Sequence, residues 1–136
     1  RNNNVRYFVQ PFTYITDEIN IAYEYKDGKY KVIAITNGNV DVSQFNLKDS
    51  FDLVLQAGPH GNAKPESDMF DLACQKLGVS QNEILHVGDS LDSDVQGANN
   101  AGCYSVWLEN AFVPYRYKGL ADIEISDIFA LKSLLV

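Results

Sequence analysis

The sequence predicts an α/β domain, a three-layer sandwich built on a mostly parallel sheet, and three observations carry that expectation. Apolar runs such as Val32-Ile33-Ala34-Ile35 are continuous rather than alternating, as in strands buried on both faces of a parallel sheet. Strand-like and helix-like segments take turns along the chain, which implies right-handed crossovers. The run Ile84-Leu85-His86-Val87 stops at Gly88 and passes directly into Asp89-Ser90-Leu91-Asp92-Ser93-Asp94, ahead of the small-residue segment 95–102. That pattern reads as a buried strand, a turn carrying carboxylates and a helix packed closely on the sheet.

The elements follow in order. Over residues 16–25, Ile19, Ala22 and Tyr23 recur at helical spacing behind a cap at Thr16 or Asp17. Lys26-Asp27-Gly28-Lys29 is a turn, residues 30–36 are the first buried strand, 42–46 a short helical turn and 51–56 a second strand. Residues 65–77 form the clearest helix. Pro65 suits its first position, Glu66 and Asp68 complement its positive end, and Gly78 sits where a stop belongs. Its expected buried face is Met69, Leu72, Ala73 and Leu77. A strand at 84–87, a helix at 94–101, strands at 105–108 and 123–125, and a helix at 126–135 capped by Ser126 complete the pattern. The architecture is Rossmann-like, with no internal repeat.

Composition bounds the function. At 136 residues, with 46% hydrophobic and 21% charged, the chain is one ordinary globular domain. Eleven basic against 18 acidic residues give −7 with no Lys/Arg block, so a nucleic-acid partner is not expected. No apolar run approaches the roughly 20 residues of a membrane helix, so no membrane partner is expected either. Cys74 and Cys103 make neither a metal spacing nor a disulfide framework, and read as free buried thiols of a cytoplasmic protein. The opening Arg1-Asn2-Asn3-Asn4 reads as the interior of something longer.

Ligands of open parallel sheets gather beyond the carboxyl ends of the strands, and three clusters fall there. Thr36-Asn37-Gly38-Asn39 is either a plain turn or a phosphate cradle made of a hydroxyl and successive backbone N–H groups. Lys64 sits at the positive end of the expected helix, where a cation is disfavoured by up to about 1 kcal/mol. It is either a solvated surface lysine or the partner of a phosphoryl group. Asp89 and Asp94 repel unless a cation or proton intervenes, which favours a hard divalent ion; Ser90, Asp92 or Ser93 serves as the helix cap. His86 reads as a core side chain, His60 in the loop 58–63 as a weak substrate contact, and Trp107 as packing.

Taken in order, Ile35-Thr36-Asn37-Gly38, Lys64-Pro65, and Gly88-Asp89-Ser90 with Asp94 resemble the second, third and fourth motifs of the haloacid dehalogenase-like (HAD) hydrolases. Within that family, Ala57-Gly58-Pro59-His60-Gly61 and Lys64-Pro65-Glu66-Ser67-Asp68-Met69 look like a bacterial branch linked to dephosphorylating FMN and a riboflavin-pathway precursor. The resemblance implies a Mg2+-dependent phosphatase that works through an aspartyl-phosphate. It assigns Thr36, Asn37, Gly38 and Lys64 to the phosphate, with Thr36 and Lys64 catalytic, and Asp89 and Asp94 to the metal. A non-catalytic phosphate- or protein-binding module, a sugar phosphomutase and a dehalogenase are the competing readings.

The family's first motif, an Asp-x-Asp-x-Thr-like segment after an apolar strand, has no match here. Residues 1–16 therefore read as a remnant of the cap or linker region and 17–136 as the C-terminal part of a HAD-like core, lacking the N-terminal strand and the cap. That strand normally lies between the one ending at Thr36 and the one ending at Asp89. Its loss would leave unpaired edges, to be met by a companion fragment, a swapped dimer or a rearranged N-terminus. Residues 5–10 are β-prone and suited to filling part of the place, without bringing a carboxylate.

Overall fold

A computed structural model describes residues 6–9, 30–38, 51–109 and 120–134. The helix expected at 16–25 and the helical turn at 42–46 lie outside the described residues, as does the boundary drawn at residue 16.

Among the described residues six strands form one sheet: β1 (Arg6–Val9), β2 (Val32–Thr36), β3 (Leu53–Gln56), β4 (Ile84–Gly88), β5 (Tyr104–Leu108) and β6 (Ile123–Ile125). Their order across the sheet is β3-β2-β1-β4-β5-β6, and every neighbouring pair is parallel. β1 lies mid-sheet, with Tyr7 level with Val32 on one side and Leu85 on the other. Residues 6–9, within the β-prone stretch 5–10, thus take the place that the family's first-motif strand normally holds. The unpaired inner edges foreseen for the strands ending at Thr36 and Gly88 do not arise. Residues 6–9, read from sequence as part of a leading remnant, belong to the sheet itself.

The continuous apolar runs are explained by burial on both faces. Every residue of β2 and β4 is buried. Period-two alternation sends Val32, Ala34, Leu85 and Val87 into one core with Val106, Ile128 and Leu131. Ile33, Ile35 and Ile84 enter the opposite core with Leu55, Met69, Phe70, Ala73 and Ala98.

Helix α1 runs from Asp68 to Leu77 and stops at Gly78, which adopts the left-handed conformation (φ 68°) expected of a C-terminal glycine. Its start differs from the sequence expectation. Pro65 lies before the helix, in a turn closed by Glu66 N donating to Ala63 O (3.0 Å), and the Lys64–Pro65 bond is cis. The helix begins late because Lys64 is drawn inward by bonds described below. Its inward face is Met69, Phe70, Ala73 and Cys74, with Leu72 and Leu77 only partly buried at the rim.

After β4 a π-helical turn (Leu91–Val95) leads into helix α2 (Gln96–Ala101). The closing segment is a 3-10 turn (Ile128–Ala130) followed by α3 (Leu131–Leu134). Its cap is Asp127, which accepts from Phe129 N at 2.9 Å, rather than Ser126. Both residue types cap well, and here the chain enters the helix one position later. Among the described residues no helix is long and apolar enough to cross a membrane.

Candidate functional site

β2 and β4 stand two strand spacings apart with β1 between them, so their carboxyl ends are separated by roughly 10 Å. One side chain spans that gap. Lys64, only 3% exposed, places its ammonium 3.0 Å from the Ile35 carbonyl on β2 and 2.6 Å from Asp94 Oδ1 beyond β4. The sequence left open a solvated lysine, and the structure excludes it.

The Lys64 backbone is fixed as well. Asn37 donates its side-chain amide to Lys64 O (3.0 Å) and accepts from Lys64 N (2.8 Å), a two-way pairing like a rung of a sheet. The preceding loop is tied to the same strand end: Ala57 N donates to Thr36 O at 2.9 Å. Within that loop His60 Nδ1 accepts from Gln56 N (2.8 Å), so its imidazole closes the turn. Thr36 is buried, and its hydroxyl oxygen accepts from Gly38 N at 3.1 Å. That leaves the hydroxyl proton available to a further acceptor.

Asp94 is the hub. Its Oδ1 accepts from Lys64 Nζ and lies 3.0 Å from His86 Nε2, and its Oδ2 accepts from Ser90 N at 3.2 Å. Burial disfavours its charge, but the His86 hydrogen bond and the Lys64 charge outweigh this and hold its carboxyl below the usual range. The approach needs Gly88, since a Cβ there would overlap Asp94. Ser90 is the cap among the three candidates: its hydroxyl accepts from Ser93 N at 3.2 Å, while Asp92 faces solvent.

Asp89, half-buried, follows β4 directly, and Trp107 Nε1 holds its backbone carbonyl at 3.0 Å. Burial first, and the neighbouring Asp94 charge second, push its carboxyl upward. A positive ion would relieve both. Among the described residues no three His, Cys, Asp or Glu side chains form a ready-made metal cage. The donor set suits an ion that keeps much of its water and takes one or two carboxylates, which is how Mg2+ binds.

Thr36, Asn37, Lys64, Asp89 and Asp94 therefore gather at one edge of the sheet, and Gly38 adjoins them through its bond to Thr36. Three contributions escaped the sequence reading: the Asn37 side chain as a brace for Lys64, the Trp107 bond to the Asp89 backbone, and the His86–Asp94 bond. The last had a signal. Period two puts His86 on the same face as Gly88, the position whose missing side chain makes room for Asp94.

Residues 13–102 match the family model described as a haloacid dehalogenase-like hydrolase. The 5-amino-6-(5-phospho-D-ribitylamino)uracil phosphatase YigB of Escherichia coli K12 is 46% identical over 111 residues, 79% of this chain and 47% of its own length. The pyrimidine 5'-nucleotidase YjjG of the same organism is 35% identical over 115 residues, 79% and 51% of the two chains. Among solved structures, a HAD phosphatase from Thermococcus onnurineus superposes with a TM-score of 0.76 and 32% identity, covering 88% of this chain and 56% of that one. The chain spans about half the length of the curated relatives it matches.

Proposed function

Because the chain belongs to the haloacid dehalogenase-like hydrolases, we propose that it supplies the phosphate- and metal-binding side of a phosphatase. The substrate is a small phosphate monoester, with a riboflavin-pathway precursor phosphate or FMN as first choice; the similarity to YigB supports the pathway. The observation that carries this reading is the Lys64 ammonium. It is buried at the carboxyl edge of the sheet, with two of its three protons directed to Ile35 O and Asp94. The third remains for a phosphoryl oxygen.

In this reading Lys64 donates to the phosphoryl group and offsets the charge that develops during transfer, while the Thr36 hydroxyl donates to a second oxygen. Backbone groups of Asn37 and Gly38 complete the cradle once Gly38 N releases Thr36. Asp89 would hold Mg2+, and Asp94 would hold the metal or its water shell. Bound there, the ion supplies positive charge against a phosphoryl oxygen. As a carboxylate oxygen bonds to phosphorus the ester P–O bond breaks and the alcohol leaves with a proton from a general acid beside that carboxylate; water then cleaves the acyl phosphate, restoring the carboxylate and releasing inorganic phosphate. No Asp or Glu lies between Val9 and Asp17, so the attacking carboxylate is assigned to a segment outside this sequence.

That same feature favours a second reading, in which this chain binds phosphate with no turnover of its own. Titration with inorganic phosphate in the presence of Mg2+ tests the shared part. Lys64→Ala and Thr36→Val are expected to weaken binding at least tenfold, and unchanged affinity in both, with folding intact, defeats the proposal. Mg2+-dependent phosphate release from FMN by this chain alone would show that the carboxylate is not missing.

A further inference from the structure

His86 stands where the sheet interior asks for an apolar residue. Its strand neighbours Ile84, Leu85 and Val87 are apolar and buried, and the imidazole is itself 1% exposed. Burying a polar ring without purpose is costly, and at its Nε2 the ring meets Asp94 Oδ1 at 3.0 Å. Resting on the reading of Lys64 as the phosphate-side cation, we propose that His86 is a positioning residue. Its Nε2–H anchors Asp94 Oδ1, which keeps the Lys64 ammonium seated between Asp94 and the Ile35 carbonyl.

The geometry supports this at each link. Asp94 Oδ1 lies 2.6 Å from the Lys64 ammonium and 3.0 Å from His86 Nε2, so one carboxylate oxygen faces both groups. Phe70 packs against the ring edge-on at 4.9 Å with the planes at 84°, which favours the orientation that faces Asp94. Ser90 N fixes the other carboxylate oxygen, so the head group is held at two points and its Oδ1 is aimed at Lys64. Lys64 has four rotatable bonds and gains its fixed place from that target.

Reductive methylation followed by mass spectrometry tests the idea, with exposed Lys31 and Lys76 as references and buried Cys74 and Cys103 as monitors of opening. His86→Leu is expected to raise the Lys64 rate at least fivefold relative to Lys31 while both thiols stay protected, and His86→Gln to restore it. An unchanged Lys64 rate, or thiols unmasked in step with Lys64, overturns the proposal. Should His86→Leu fail to fold, nitrogen-15 spectra of the unmodified chain decide: a proton on Nε2 supports the assignment, and one on Nδ1 alone refutes it. Neither readout involves phosphate or Mg2+, so a failed phosphatase reading leaves this result standing.

Discussion

Gly88 and Asp94 approach so closely that no β-carbon fits between them. The strand end is bare because the carboxylate of the following turn occupies the volume a side chain would fill. Gly88→Ala therefore either displaces Asp94 from Lys64 and His86 or bends the end of β4. Overpacking of this kind costs about 1–3 kcal/mol, and loosening a buried ion pair adds to it. Urea unfolding is expected to show a loss of at least about 2 kcal/mol, together with faster labelling of Lys64. A variant within about 0.5 kcal/mol of the parent would mean that the two groups can part freely.

The strands were legible because short, unbroken apolar stretches bounded by turn residues suit a strand covered on both faces. Gly78 was legible because a left-handed helix stop needs a glycine. The start of α1 was not. Pro65 is a good first helical residue by local rules, but Asn37 and Asp94, 27 and 30 positions away, hold Lys64 and delay the helix to Asp68. Long-range hydrogen bonds overrode a local preference there. In the site, residue identities were readable while their partners were not. Asn37, read for its backbone N–H, also braces Lys64 through its side chain, and of the two readings of Lys64 the solvated one is excluded by its burial. The mid-sheet strand sits between these cases: residues 5–10 show β tendency, and their place came from the family resemblance, since nothing local reveals which neighbours a strand will take.

The Lys64–Asp94 pair invites a double-mutant cycle. Removing one partner leaves the other charged and buried, which typically costs about 3–5 kcal/mol. Lys64→Met and Asp94→Asn are each expected to destabilise in that range, and the double variant by less than their sum, because neither charge is then stranded. Simple additivity in chemical denaturation would mean that the 2.6 Å contact carries no coupling.

Asn37 makes a separate prediction. Its amide closes two hydrogen bonds on the Lys64 backbone, each worth about 1 kcal/mol net. Asn37→Ala is expected to lose about 2 kcal/mol, and Asn37→Asp, which keeps only the acceptor, somewhat less. The two losses should appear in the same order in phosphate affinity, since both act by freeing Lys64.

Alkaline pH should weaken the fold through Cys103. Burial first, then nearby Cys74 and Asp71, push its thiol up to about 12. An unfolded thiol titrates near about 8.5, so the folded state keeps its proton longer. Full stability is present below that value and is lost as pH rises toward the folded one, at a slope of up to about 1.4 kcal/mol per pH unit. Between pH 8.5 and 10 the parent is expected to lose on the order of 1 kcal/mol more than Cys103→Ala in urea midpoints. Parallel curves would show that Cys103 contributes nothing to the alkaline limb.

The last prediction concerns β1, because the sheet depends on it from both sides. Phe8 is level with Ile33 on β2 and His86 on β4, so its strand forms parallel ladders in both directions. A proline there removes a donor from the middle of a sheet, where proline is hardly tolerated, and costs about 3 kcal/mol or more. Deleting residues 1–10 goes further and leaves two apolar five-residue strands, β2 and β4, with unpaired inner edges. Such edges seek partners, so the deleted chain is expected to elute as oligomers or aggregate. Phe8→Pro should melt early and follow the same course on warming. A synthetic peptide of residues 1–10, added during refolding, should return the shortened chain to the parent's elution volume. A deleted chain that keeps the parent's elution volume and unfolding midpoint would mean that β2 and β4 close on each other and that the mid-sheet place of Arg6–Val9 is dispensable.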